Sequence, residues 1–593
     1  MRGQTNVDVR VNELDIDKEQ VEDPAGILEA LPSLPITRAT TATGVEVHSQ
    51  GGTLARNHTV AGASSNSPIV ANYNVPPTEI PTKKRNIYFV SAFCSLGGFL
   101  FGADTGSIGS ITSMPQFIEV YPTLKNEAVL GALVATILMS ASLASFASGW
   151  LSDKHSRKRT IMLGAYIFGI GAALEAGSIN LPMLIIGRLI VGVGEGFFLS
   201  AIGVYLVEIA PPDVGEGFFL SAIGVYLVEI APPDVRGRIS CMLQLFVTIG
   251  IAAGYFICYG SLNIQSTLSW RIPFIVQVGV AMVLGSGIPL VPYSPRFLFQ
   301  NGRVEEAWRV LEAFDRHSSS EKEKEELMAR AQERQGQDET VGVVAAFKDP
   351  DSRGRTLLAV FMMGMQQLSG IDGILFYGPI LFSQAGLTSR QASFLASGVS
   401  GILNIVCTIP AQLYLLDKWG RRSSAIVGGL VMAVCMLAIG SMYAAGADAG
   451  QGRYAIIVFI YLFVIAFSTT WAVSFKLFIT EIQPTRVRAT ASSLAHSSNW
   501  LCNLAVALTT PLFLSRSSSG PYFMFGACLL LTSVVCMIWM PETLGKSLQE
   551  VDKVWEIRMK RSKEIIHSLV TFGVGRERRR STNEIELQEQ GRV

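Results

Sequence analysis

The chain has 593 residues, of which 49% are hydrophobic and only 16% charged, and its mean hydropathy of +0.37 lies well above that of a soluble globular protein. A formal net charge of +1 supplies no basic field for nucleic acid, and the 8 cysteines, at 94, 241, 258, 407, 435, 502, 528 and 536, lack metal-ligand or redox spacing and sit mostly in apolar runs. Charges gather at the two ends and in one central stretch, so the segments between exceed the ~20 apolar residues that cross a bilayer and predict an all-α, polytopic membrane protein.

Residues 1–85 are polar, rich in Thr, Asn, Pro, Asp and Glu and nearly free of aromatics, which predicts a disordered cytoplasmic tail. The first apolar run begins near Ile87, so no cleavable signal peptide is expected. The acceptor pattern Asn57-His58-Thr59 then carries no glycan, because a cytosolic tail does not meet the glycosylation machinery.

Apolar runs of bilayer length follow near 88–109, 127–150, 160–178, 182–208, 238–260 and 272–292, and again near 356–383, 392–415, 424–445, 454–480, 489–513 and 521–540. They predict twelve transmembrane helices. Basic residues of the short connections, Lys154 to Arg159, Arg236 with Arg238, Lys418 to Arg422 and Arg486 with Arg488, fall on one side, which places both termini in the cytosol. Two six-helix halves are expected at 86–293 and 356–540, joined by a cytoplasmic linker at 294–355 with short amphipathic helices, and followed by a tail at 541–593.

The halves echo each other. GWLSDKHSRKR follows the second span and YLLDKWGRR the eighth, while YLVEIAPPDVRGR and LFITEIQPTRVRA close the fourth and tenth. Such parallel repeats are common in transporters. Asp153, Arg157, Glu208 or its copy Glu229, Arg236, Asp417, Arg421, Glu481 and Arg488 would form a cytoplasmic network that pairs and parts as the halves rock. The alternative is simple positive-inside topology signalling.

GEGFFLSAIGVYLVEIAPPDV occurs twice without a difference, at Gly194 to Val214 and Gly215 to Val235, an identity over 21 residues unlike the divergent members of a structural repeat. The extra copy would be about 31 Å long as a helix, close to one crossing; if it crossed, every later span would invert, and if it stayed in the cytosol, the apolar run GFFLSAIGVYLV would be exposed or lie along the membrane surface. A sequence-assembly artefact is favoured over an in-frame duplication, and Glu208 and Glu229, like Tyr205 and Tyr226, compete for one position each. Sequencing the transcript across the stretch distinguishes the two.

Several motifs in order give the chain a family resemblance over roughly 86–555. GGFLFGADTG, GWLSDKHSRKR, GRLIVGVGEG, PYSPRFL, QQLSGIDGILFYGP and PETLGKSLQE are similar to those of the sugar porters of the major facilitator superfamily. Departures are Ala103 for a usual Tyr, Tyr293 for Glu and Leu544 for Lys. The resemblance implies twelve helices in two six-helix halves around a cavity opening alternately to either side. It also implies sugar contacts at Gln244, Gln366, Gln367, Asn404, Asn499 and Trp500, residue types that suit a ligand of hydroxyls and apolar ring faces. For each amide alone, the competing reading is a hydrogen bond gluing two helices.

Asp104 and Arg188 are ionisable residues within apolar spans, where charge is costly and usually functional. The resemblance implies that Asp104 takes up a proton and is held by Arg188, hence proton symport; the alternative is a static pair. Lys476 stands where the family has Trp, and Asp372 where it commonly has Asn. A lysine near mid-membrane costs ~2.5–3.5 kcal/mol even on the lenient insertion scale. It could pair with Asp372, bind the carboxylate of a sugar acid, or snorkel or lose its proton. The expected partners are a sugar, polyol or sugar acid, protons and the bilayer, most simply the plasma membrane. No cofactor, metal or catalytic residue is expected: GVGEG lies inside an apolar helix, where its glycines read as helix packing. A nutrient sensor on the same fold, and a facilitator without proton coupling, are the alternatives.

Overall fold

The computed structural model describes residues 87–209, 236–313, 347–387, 389–447, 450–484, 487–546, 550–565 and 568. The expected N-terminal tail, the linker segment EKEKEELMARAQER, the second copy of the duplication with Tyr226 and Glu229, and the end of the C-terminal tail lie outside these residues.

Among the described residues every regular element is a helix. The first half comprises α1 (two stretches, Ile87–Cys94 and Leu96–Thr112), α2 (Glu127–His155), α3 (Arg157–Ala176), α4 (Leu181–Ile209), α5 (Arg236–Ser261) and α6 (Leu268–Gly287). The second comprises α7 (Pro350–Gln367 and Ile371–Gln384), α8 (Arg390–Pro410), α9 (Arg421–Ala444), α10 (Gly452–Thr469 and Trp471–Glu481), α11 (Arg488–Arg516) and α12 (Gly520–Trp539). Eleven of these are long and apolar enough to cross a membrane. The other, α11, has 29 residues, but the polar run AHSSNW lowers its hydropathy; within that run His496 bonds to its own helix at the Ser492 carbonyl and Asn499 to the Met363 carbonyl of α7.

Helix α7 begins at Pro350, before the expected 356, so Arg353 and Arg355 lie in its first turns. Asp349 caps it by accepting from the Ser352 backbone N–H at 3.1 Å. That bond, with the Ser352 hydroxyl, holds the Asp349 carboxyl below the usual carboxylate range. Of the linker, Pro295–Gln300 and the amphipathic Val304–Ala313 are helical.

Packing follows the internal repeat. Contacts of α1 with α5, α2 with α4, and α3 with α4 and α6 are matched by α7 with α11, α8 with α10, and α9 with α10 and α12. The halves meet along α2 with α11 and α5 with α8, partners that exchange under the same pairing. The turn between α2 and α3 repeats between α8 and α9: Ser156 has φ 92 and ψ 143, Gly420 φ 76 and ψ 158. This backbone region is nearly exclusive to glycine.

One end of the bundle, where α1 finishes, carries a lid of short helices, Pro115–Val120 and Pro122–Lys125. Phe117, Tyr121, Trp270 and Phe274 pack beneath it, and the Tyr121 and Ser178 hydroxyls are hydrogen bonded at 2.7 Å. The halves are joined at this end by Gln391 donating to Asn263 at 3.2 Å and by the Tyr255 hydroxyl donating to the Leu375 carbonyl. At the opposite end, where the chain enters α1, Lys158 donates to the Pro289 carbonyl at 2.7 Å and sits 4.7 Å from the Tyr293 ring centroid. Tyr293, which departs from the resemblance, thus offers a π face to this cation.

Replacing Ser156 by Gly relieves a strained backbone residue. Ser156→Gly is expected to stabilise the detergent-solubilised protein by about 1–3 kcal/mol, seen as a raised melting temperature; an unchanged or lowered one contradicts the strain.

Candidate functional site

The second half is interrupted at two places that face the bundle interior. In α7, Gly370 at φ 88 ends one helical stretch and starts the next, and an added Cβ there would collide with the Phe525 ring. In α10, Thr470 at φ −123 and ψ −75 makes a similar break. Breaks of this kind free backbone groups and expose helix ends at depth, where transporters place binding sites. Here Gln366 Nε2 donates to the Trp471 carbonyl at 2.7 Å, tying the α7 stretch before its break to the first residue after the α10 break.

Around these breaks the expected amides form one network. Gln367 Nε2 donates to Asn499 Oδ1 at 3.1 Å, and Asn499 Nδ2 donates to the Met363 carbonyl at 3.1 Å and Gln366 Oε1 at 3.3 Å. Asp372, in the first turn after the α7 break, accepts from Asn503 Nδ2 at 2.6 Å. Gln367 Oε1 and Asn503 Oδ1 are buried acceptors without a hydrogen-bond partner among the described residues. Trp500 meets Phe101 of α1 edge to face, ring centroids 6.1 Å apart, which closes an aromatic contact across the halves.

Lys476 Nζ donates to Gln244 Oε1 at 3.1 Å, joining α10 of one half to α5 of the other. Its charge and that of Asp372 attract one another, and His496 of α11 lies within the same field. Asn404 is different: its Oδ1 accepts from Ser468 at 3.0 Å and Thr408 at 3.2 Å, so this amide holds α8 to α10.

The first half holds a second polar centre. Arg188 of α4, wholly buried, places Nη2 3.2 Å from Asp104 Oδ2 of α1 and Nη1 3.8 Å from Glu175 Oε1 of α3. Glu195, also buried on α4, lies close enough for its charge to act on Asp104, Arg188 and Glu175. Sequence reasoning found Asp104 and Arg188 and missed both glutamates.

Of the expected network at the chain-entry end, Arg421 Nη2 pairs with Glu481 at 3.1 Å, joining α9 to α10 within one half. Glu542, missed in the sequence as a partner, accepts from the backbone N–H groups of Arg421 at 2.8 Å and Arg422 at 3.1 Å, a carboxylate on the N-terminus of α9. Arg157 is buried and donates to the Ser152 carbonyl at 3.0 Å. Asp153, Glu208, Arg236, Asp417 and Arg488 lie on described helices, but their side chains are outside what the structure describes, as is all of Glu229.

Known proteins match both sequence and fold. The family model of sugar (and other) transporters covers residues 90–221 and 214–555, two pieces that overlap within the duplicated stretch, the pattern one additional copy produces. Sugar transport protein MST7 of Oryza sativa is 29% identical over 511 residues, 81% of this chain and 93% of the relative. The High glucose sensor RGT2 of Saccharomyces cerevisiae is 29% identical over 518 residues, 83% of this chain and 64% of the relative. Among solved structures, the proton:xylose symporter XylE bound to 6-bromo-6-deoxy-D-glucose superposes with a TM-score of 0.64 at 23% identity, covering 79% of this chain and 99% of that one. Twelve helices in two packed halves, interrupted beside a cluster of buried amides, therefore have the fold of the major facilitator superfamily, and this integral membrane protein belongs to the sugar (and other) transporter family, a family of transporters and not of enzymes.

Proposed function

We propose that this protein is a secondary active transporter that imports a sugar, polyol or sugar acid by proton symport with alternating access. The observation that carries the reading is the buried Asp104–Arg188 pair at 3.2 Å in the half opposite the amide network. A carboxylate held by one guanidinium in a dry interior gives up that bond when it gains a proton, so protonation changes how α1 is tied to α4. The proton:xylose symporter XylE has the same fold, which agrees with this chemistry. Both termini and the linker are assigned to the cytosol, the domain limits to 86–293 and 356–540, and the membrane to the plasma membrane. The chain-entry end is then cytoplasmic, and Arg157, Arg421 and Glu481, with Asp153, Glu208, Arg236, Asp417 and Arg488, form its gate. Similarity to RGT2 is the one observation that favours sensing; the buried pair favours transport.

Substrate hydroxyls would donate to Gln367 Oε1 and Asn503 Oδ1, buried acceptors that lack partners. Gln366, Asn499, Trp500 and Gln244 would shape the remaining contacts, while Asn404 acts through helix packing. Lys476 is assigned to a substrate carboxylate: its bond to the neutral Gln244 amide is weaker than a bond to an anion, so a sugar acid can take its place. Asp372, attracted to the same ammonium, offers the balancing charge when the site is empty.

Two outcomes are expected in transport-deficient yeast. Lys476→Ala should lower uptake of galacturonate by about 10–100-fold, the equivalent of one lost charge-assisted hydrogen bond, while neutral sugars are spared; equal uptake of both classes by variant and wild type contradicts the carboxylate assignment. Asp104→Asn should still exchange substrate across the membrane but no longer accumulate it, and pH-dependent accumulation by that variant contradicts symport.

A further inference from the structure

The charge cluster of the first half contains more acid than a single proton-binding pair requires. Asp104, Glu175 and Glu195 are each at most 3% exposed, and Arg188 is 0% exposed. Both carboxylate oxygens of Glu175 and of Glu195, and Asp104 Oδ1, have no hydrogen-bond partner among the described residues. Ionising all three acids would leave two uncompensated negative charges in a dry interior, each costing several kcal/mol. Such groups take up protons instead.

Their positions form a sequence along the bundle. Glu175 is one residue from the lid end of α3. Arg188 is seven residues into α4 and Glu195 fourteen, so the two α4 residues share a helix face about 10 Å apart. Asp104 reaches Arg188 from midway along α1. Among the described residues, the charges that act on Glu195 are those of Asp104, Arg188 and Glu175. From α2 come Ser140 beside Gly192 and Ser148, which donates to the Phe197 carbonyl at 3.1 Å, while the charged residues of α2 lie at its ends. Tyr377 of α7, whose hydroxyl donates to the Ala507 carbonyl at 2.6 Å, lies within the field of Arg188.

We propose that Glu195 is a second proton-carrying carboxylate of the transport cycle, receiving the proton from Asp104 and releasing it toward the chain-entry side. The step moves one proton from an Asp104 carboxyl oxygen to an ionised Glu195 oxygen, directly or through one water. Asp104 returns to a carboxylate held by Arg188, Glu195 becomes neutral, and the net charge of the cluster is unchanged. No redox partner is involved. Chains of buried acids serve proton movement in other membrane transporters. The described arrangement, with Asp104 bonded to Arg188 and Glu195 without a partner, is the state after this transfer. Glu175, on the lid side of Arg188, stands where the proton enters.

The inference rests on the symport reading, and one experiment separates them. Wild type, Glu195→Gln and Glu195→Asp are reconstituted in proteoliposomes and assayed with galacturonate and glucose for accumulation under an imposed pH gradient and for substrate exchange without one. The neutral amide keeps the shape of a protonated glutamic acid, so Glu195→Gln is expected to exchange substrate as wild type does and to lose gradient-driven accumulation. Glu195→Asp is expected to recover accumulation with a displaced pH profile. Gradient-driven accumulation by Glu195→Gln at the wild-type level and pH profile overturns the inference alone, as does loss of exchange together with accumulation in both variants. A wild type that exchanges either substrate but never accumulates it overturns the symport reading and this inference with it.

Discussion

A guanidinium fixed in the dry interior of one half is the constraint around which this molecule is arranged. Arg188 cannot shed its charge, and lipid or packed side chains cannot solvate it, so carboxylates must converge on it from neighbouring helices. They come from α1, α3 and α4, which binds three helices of the first half to a single electrostatic centre. Any event that neutralises one carboxylate changes how strongly those helices are held, and α1 also packs against α7 of the other half. On the proposed symport reading, proton occupancy and the relation of the two halves would be coupled through one residue's partners.

The second half solves the complementary problem. Helix α7 is interrupted at Gly370 and α10 at Thr470, and beside these breaks the amides of Gln366, Gln367 and Asn499 bond to backbone carbonyls and to one another. Two amide oxygens, Gln367 Oε1 and Asn503 Oδ1, remain without a partner among the described residues. Lys476 reaches from this half to Gln244 of the other, so the proposed site is bounded by both halves and a ligand replacing that bond would act on their contact. The ends of the bundle differ in kind. The lid end is closed by aromatic packing, whereas the chain-entry end is tied by Arg421, Glu481 and Glu542, where a carboxylate caps a helix N-terminus.

Much of the architecture was legible in the sequence because hydrocarbon imposes a strict code: a run of ~20 apolar residues can be little else than a helix. The polar α11 was found from the apolar stretch LCNLAVALTTPLFL that follows its polar run. The starts and interruptions were not. Proline and charge at 350–355 read as a linker, although Pro is well placed in a helical first turn, and Arg355 is anchored by its donation to the Ile482 carbonyl at 3.1 Å. In the site, Asp104 and Arg188 stood out because charge is conspicuous in apolar runs, whereas Gln366 and Gln367 were implied by the family resemblance and Lys476 by its departure from it. Glu195 was hidden between the glycines of GVGEG, and Glu175 by its place near a helix end, where a charge reads as exposed. Asn404 shows the opposite case, a polar residue in a span whose hydrogen bonds are to its own helix and a neighbour.

The most direct test is proton flux driven by substrate. Wild-type protein in proteoliposomes with a weakly buffered exterior should alkalinise that exterior when galacturonate is added, and a protonophore should abolish the change. Uptake of substrate with no accompanying proton movement would show that the Arg188 centre is a static scaffold and would contradict coupling between its carboxylates and transport.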